Sequence, residues 1–151
     1  MKKLLFLVVV AVLAYVFIQE RGIFIPGSSS RTLSAADSIL QNAYNNKQNH
    51  FQVQGEGVVK TILPDPHDMT GTQTRPRSQH FILELSTGQR LFVSHNIEVA
   101  PRISGLRIGD TVEFNGEYKW NSKGGEIHRT HHSTVHNPVD GWLKHDGKMY
   151  R

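Results

Sequence analysis

From Phe51 onward apolar and polar residues alternate in short runs punctuated by glycine, which is the period of half-buried β-strands. Gln52 to Leu63 predicts a long strand. Gly55 and Gly57 stand at alternate positions in it, where a missing side chain permits a bend or a close backbone approach. His80 to Leu85 alternates Phe81, Leu83 and Leu85. Ser86-Thr87-Gly88-Gln89 then turns the chain into Arg90 to His95, and the two runs read as a hairpin. Leu106-Arg107-Ile108-Gly109-Asp110 supplies another turn. Thr111 to Trp120 follows with Val112, Phe114, Gly116, Tyr118 and Trp120 at alternate positions, and Asn121 to Gly125 turns into a fifth run, Glu126 to His132. The expected fold is mainly β: a small five-stranded barrel of the oligonucleotide/oligosaccharide-binding (OB-like) type, with a plain antiparallel sheet or another small barrel as the alternative. In such a barrel the loops after the first and fourth strands and the face of the second and third hold the ligand. The loop after the first strand, Pro64 to Ser78, is long and carries His67, Asp68, Arg75 and Arg77.

Ahead of the strands the pattern changes. Leu33, Ala36, Ile39, Leu40, Ala43 and Tyr44 recur at helical spacing, with Ser34 or Thr32 as cap and Asp37 in the first turn. A short amphipathic helix packed on the barrel is the expectation, ended by the polar run Asn45 to Asn49. Pro26-Gly27-Ser28-Ser29-Ser30-Arg31 reads as a spacer. Lys2-Lys3 precedes an uninterrupted apolar run from Leu4 to Ile18, closed by Gln19-Glu20-Arg21. Its 15 residues span roughly 22 Å as a helix against a hydrocarbon core of ~30 Å. No small-x-small cleavage pair lies in a good position, so an uncleaved N-terminal anchor is favoured over a signal peptide. The lysines stay inside. The chain therefore divides into a signal anchor or signal peptide (1–21), a spacer and short helix (22–49) and an OB-like barrel domain (50–151). Residues 4–18 sit in the bacterial inner membrane with the domain facing the periplasm or exterior; after cleavage it would instead be periplasmic or secreted.

Composition narrows the chemistry. The chain has 151 residues, 17 Lys and Arg against 13 Asp and Glu, and a pI near 9.5. Once the anchor segment is set aside the excess of basic residues halves, so a charged binding face is not what distinguishes the domain. Cysteine is absent, which excludes disulfide staples and thiolate metal sites. The distinctive quantity is 9 histidines, all between His50 and His145.

The densest group is His128, His131, His132, His136 and His145, with His80 and His95 in neighbouring strands. Imidazoles ligate zinc and other divalent ions without cysteine, which makes His131, His132 and His136 a candidate metal set for zinc or magnesium. On an extended strand His131 and His132 point to opposite faces, and His128 and His132 lie ~13 Å apart, so one ion cannot take that second pair directly. A metal-free site is the other reading. His95 or His131 acts as general base, Glu117 orients a histidine or activates water, and Arg102 steadies a phosphate with Asn96 beside it. Hydrogen-bonded structural histidines are the third. Trp120, Trp142, Tyr118 and Phe92 offer stacking surfaces for a base or sugar, although core packing is the stronger reading for Tyr118 and Trp120, which continue the Val112-Phe114 alternation. Arg75, Arg77, Arg90, Arg102, Arg107 and Arg129 are candidate phosphate contacts. Two classes of function follow: a phosphodiester hydrolase or binder acting on nucleic acid, or a non-catalytic module holding an envelope polymer, a metal or a partner protein.

Three strings resemble a bacterial family described as domain of unknown function 3465. They are Ser94-His95-Asn96-Ile97-Glu98-Val99-Ala100-Pro101-Arg102, the run from Gly109-Asp110 through Gly116-Glu117-Tyr118 to Trp120-Asn121, and Gly124-Gly125-x-Ile127-His128-x-Thr130-His131-His132, followed by Gly141-Trp142. The resemblance extends from about Phe51 to Tyr150. It implies an exported or membrane-associated bacterial protein and carries no activity with it. The chain departs from the family pattern at Gln79-His80 and at Ser133.

Overall fold

The computed structural model describes residues 34–65, 77–133 and 139–151. The anchor (4–18), the spacer, most of the loop after the first strand and His136 lie outside the described residues. Among the described residues no helix is long and apolar enough to cross a membrane.

The first element is helix α1, Ala35–Asn45. Ser34 caps it: its hydroxyl accepts the Asp37 backbone N–H at 3.0 Å, satisfying one of the free donors of the first turn. The face bearing Leu40 and Ala43 is buried, while Ile39 remains half exposed. Seven strands follow: β1 (Phe51–Leu63), β2 (Ser78–Glu84), β3 (Arg90–Asn96), β4 (Thr111–Lys119), β5 (Glu126–His128), β6 (Trp142–His145) and β7 (Lys148–Tyr150).

The first five close on themselves in the order β1-β2-β3-β5-β4, with β4 returning to β1. All neighbours are antiparallel except β3 and β5, which run parallel through Phe92↔Glu126 and Val93↔Ile127. Strand β1 is long enough to serve two partners, pairing with β4 from Phe51 to Val58 and with β2 from Val58 to Leu63, with a register shift between Val59 and Thr61. The turn before β4 seats on that irregularity: Val59 N–H donates to the Asp110 carbonyl, and Gly109 N–H to the Val59 carbonyl, both at 2.8 Å. A mainly-β closed five-stranded barrel with one short helix is what the alternation predicted.

Period two sets the core. Phe81, Leu83, Leu91, Val93, Val112, Phe114, Tyr118 and Ile127 point inward and are buried. Gly116 is the inward position between Phe114 and Tyr118. A Cβ there would lie 2.7 Å from the His128 carbonyl and from Ile127 Cγ2, so only glycine lets the chain leaving β5 close over the core. Helix α1 packs across the end of the barrel that carries the β2–β3 and β4–β5 turns. The Asp37 carboxylate accepts from the Ser86 backbone N–H and hydroxyl, and Tyr44 donates its hydroxyl proton to the Ser122 carbonyl.

One expectation is corrected. The fifth strand stops at His128 and does not reach His132, because Arg129 takes the left-handed conformation (φ 53°) and turns the chain away. His131 and His132 are thus loop residues. The segment after Gly141 is a β6–β7 hairpin paired onto β4 beyond the end of β5, with Val112↔His145 and Asn115↔Trp142.

Candidate functional site

The outward positions of the barrel strands form a polar row. Gln52 of β1 stands opposite Glu117 of β4, Glu117 opposite His128 of β5, and His80 of β2 opposite Ser94 of β3. Glu117 is the hub. Its Oε1 accepts from His50 Nδ1 at 2.8 Å, and its Oε2 accepts from Arg129 Nη1 at 2.7 Å. His128 Nε2 lies 3.6 Å from Oε1, beyond hydrogen-bond reach, and this buried nitrogen has no hydrogen-bond partner among the described residues. Burial pushes the Glu117 carboxyl up. The hydrogen bond from His50 and the charges of Arg129, His128 and His50 together outweigh it, and the net shift is downward. Glu117 is an anion at neutral pH. Its side chain is 13% exposed, whereas His50 and Arg129 are 68% and 51% exposed.

The parts come from three elements. Glu117 points outward because Gly116 and Tyr118 point in. His50 enters β1 in the left-handed conformation (φ 59°) and is pinned by its N–H to the Tyr118 carbonyl at 2.9 Å. Arg129 is turned toward Glu117 by its own positive φ. Burial holds His128 below the ordinary histidine value, only partly opposed by Glu117 and Glu126, so its ring is neutral at pH 7.

Glu117 is the one residue of the expected acid/base set that this cluster contains. His95, expected as general base, is fully buried. Its Nε2 faces the Pro101 carbonyl at 3.0 Å and its Nδ1 faces the Thr130 hydroxyl at 2.8 Å. A carbonyl only accepts, so Nε2 carries the proton and Nδ1 accepts from Thr130. Both nitrogens are engaged inside the barrel, away from solvent; burial above all lowers its pKa and keeps it neutral. His131 turns its Nδ1 to the His132 carbonyl at 2.9 Å. His132 Nδ1 lies 3.1 Å from Asp140 Oδ1, which also accepts from Ser133 N–H at 2.8 Å. Among the described residues no group of three or more His, Asp or Glu is gathered as a metal site.

The substrate-binding candidates are dispersed. Arg102 is ion-paired with Asp65. Asn96 closes a turn by accepting the Glu98 N–H at 2.9 Å. Trp120 lies past the end of β4 against α1, its indole N–H donating to the Tyr44 carbonyl at 3.0 Å and its ring stacked on Tyr44 at 6.4 Å. Trp142 is half-buried on β6. The residue that the sequence pattern did not single out is His50, set beside Glu117 only by the β1–β4 register; His128 and Arg129 were candidates, but their meeting at Glu117 was not foreseen. Phe92 is half-buried on the outer face of β3, with the His80 ring tilted against it at 4.9 Å.

No curated protein matches the chain. The model of a family described as protein of unknown function (DUF3465) matches residues 23–151, so the chain belongs to that family.

Proposed function

We propose that this domain binds single-stranded nucleic acid on the outer face of β2-β3-β5-β4 and cleaves RNA there without a metal ion. The fold supports the binding half: we read the closed order β1-β2-β3-β5-β4 with its parallel β3–β5 pair as OB-like, and the second and third strands of such barrels face their ligands. The observation that carries the catalytic half is Glu117 holding His50 Nδ1 at 2.8 Å while Arg129 sits on its other oxygen at 2.7 Å.

That arrangement orients an exposed imidazole. With Nδ1–H committed to the carboxylate, His50 presents Nε2 to solvent as a base, and Glu117 stabilises the imidazolium that forms. In the step we assign, a ribose 2′-hydroxyl oxygen bonds to the neighbouring phosphorus and its proton passes to His50 Nε2. The bond from phosphorus to the 5′-oxygen breaks, and the leaving oxygen takes the proton back from the imidazolium. The products are a 2′,3′-cyclic phosphate and a 5′-hydroxyl. Arg129 has donors to spare beyond the one on Glu117 and neutralises the phosphate charge. DNA lacks the nucleophile, so it is bound and left intact. Residues 4–18 as an anchor would place this activity on the outer side of the bacterial inner membrane.

The test is a matched pair of labelled single-stranded oligonucleotides, one RNA and one DNA, incubated with the full-length protein. Binding of both and cleavage of RNA alone is the expected result; binding of neither contradicts the reading. A cleft of about 400 Å³ between α1 and the β2–β3 and β4–β5 turns favours a second reading, a non-catalytic module for an envelope ligand. Tyr44, Gln89, Arg90 and Lys123 line it. A rise in melting temperature with envelope glycans and none with nucleic acid selects this reading.

A further inference from the structure

Beside the Glu117 cluster, the same face carries an aromatic platform with an acidic edge. Phe92 projects outward from β3, and His80, diagonal to it on β2, tilts against its ring at 4.9 Å. His80 is held there by its Nε2 at 3.2 Å from the Ser94 hydroxyl. On the other side of Phe92, in the parallel register, stands Glu126 of β5. No described residue ties the Glu126 carboxylate by a hydrogen bond or ion pair, and it is half-exposed. Glu126 is two residues from His128 on the same strand, a separation of ~6.6 Å that puts the platform within one nucleotide's reach of Glu117.

We propose that Phe92, His80 and Glu126 form a base-selective subsite that prefers guanine, a specificity that rests on the reading of this face as an RNA-cleaving surface. Every base has a π-face to lay on Phe92, so stacking alone selects none. The carboxylate selects. Its two oxygens accept only, and they match a base edge that presents two adjacent donors. Guanine has such an edge in N1–H and the 2-amino group. Cytosine and adenine each set an acceptor beside their amino group, and uracil flanks its single N–H with two carbonyls, so each turns a lone pair toward Glu126. The ring positions the base and the carboxylate reads it, while the scissile phosphate extends toward His50 and Arg129.

The experiment uses full-length protein and four fluorescent RNA octamers of uridine carrying guanosine, adenosine, cytidine or uridine at one central position. Binding is measured by anisotropy, and cleavage by the position of the cut. Wild-type protein is expected to bind the guanosine octamer about tenfold more tightly than the others and to cut next to that residue. Glu126→Gln is expected to abolish the preference, so that the guanosine octamer binds within about twofold of the other three. Phe92→Leu, which keeps an apolar side chain at the position, weakens binding of all four by about tenfold. Equal affinity and unselective cutting of all four by wild-type protein overturns the subsite and leaves the cleavage reading standing. A guanosine preference that survives Glu126→Gln also overturns it. Failure of all four to bind overturns both.

Discussion

The His50 imidazole and the Glu117 carboxylate, 67 positions apart in sequence, meet at 2.8 Å on the outside of the barrel. The β1–β4 pairing makes the contact: Phe51↔Tyr118 and Gln52↔Glu117 bring the residue before β1 alongside the end of β4. The proposed chemistry depends on that pair more than on any residue of the His-rich segment.

Glu117→Gln tests the pair. It keeps the shape and removes the charge that orients His50 and balances Arg129. The expected loss of RNA cleavage is about 10²–10⁴-fold, the usual contribution of general acid–base catalysis. Stability should fall by only about 1 kcal/mol, because both partners are largely exposed. The two readouts are initial cleavage rate and urea unfolding.

His95→Ala should behave in the opposite way. The change empties a fully buried site and leaves the Pro101 carbonyl and the Thr130 hydroxyl unpaired. A loss of about 3 kcal/mol is expected from cavity and unsatisfied polar groups together. Thr130→Val in the His95→Ala background should cost much less than it does alone, since the two residues share one interaction.

Acid should weaken the fold in two stages. His95 and His128 have folded-state pKa values below the ordinary histidine value, so as the pH falls the unfolded chain takes up protons first. Their contribution is complete above about pH 6.5 and is lost as the pH drops toward their folded values. Glu117 and Asp110 are shifted below the ordinary carboxylate values, Asp110 by the Arg107 N–H and by His145, and their contribution is lost below about pH 4.5. Thermal unfolding from pH 8 to 4 should show a first decline near pH 6 that His95→Ala reduces.

Trp120→Ala should loosen helix α1 without touching the polymer face. The indole anchors α1 through the Tyr44 carbonyl and stacks on the Tyr44 ring. A loss of about 2 kcal/mol is expected for a half-buried tryptophan, with faster amide exchange in Ala35–Asn45 and unchanged RNA affinity.

The strands of the barrel were legible because alternation and glycine turns are local signals. Phe81, Leu83, Leu91, Val93, Val112 and Phe114 face inward where period two puts them. The same alternation held information about His95. It follows Leu91 and Val93 at the same spacing, so it belongs to the buried face, a placement that a count of histidines does not show. The end of β5 was not legible, since no pattern marks Arg129 as left-handed. His50 was not legible either. Its place beside Glu117 follows from strand register between segments far apart in sequence, which local periodicity does not encode.

The most direct test of the proposed chemistry is the rate of single-stranded RNA cleavage by the full-length protein in excess chelator, for wild type and His50→Gln. The account predicts cleavage by wild type that the chelator leaves unchanged, 2′,3′-cyclic phosphate ends, and a loss of about 10²–10⁴-fold in the variant. Cleavage that stops with the chelator, or that His50→Gln leaves at the wild-type rate, would contradict it.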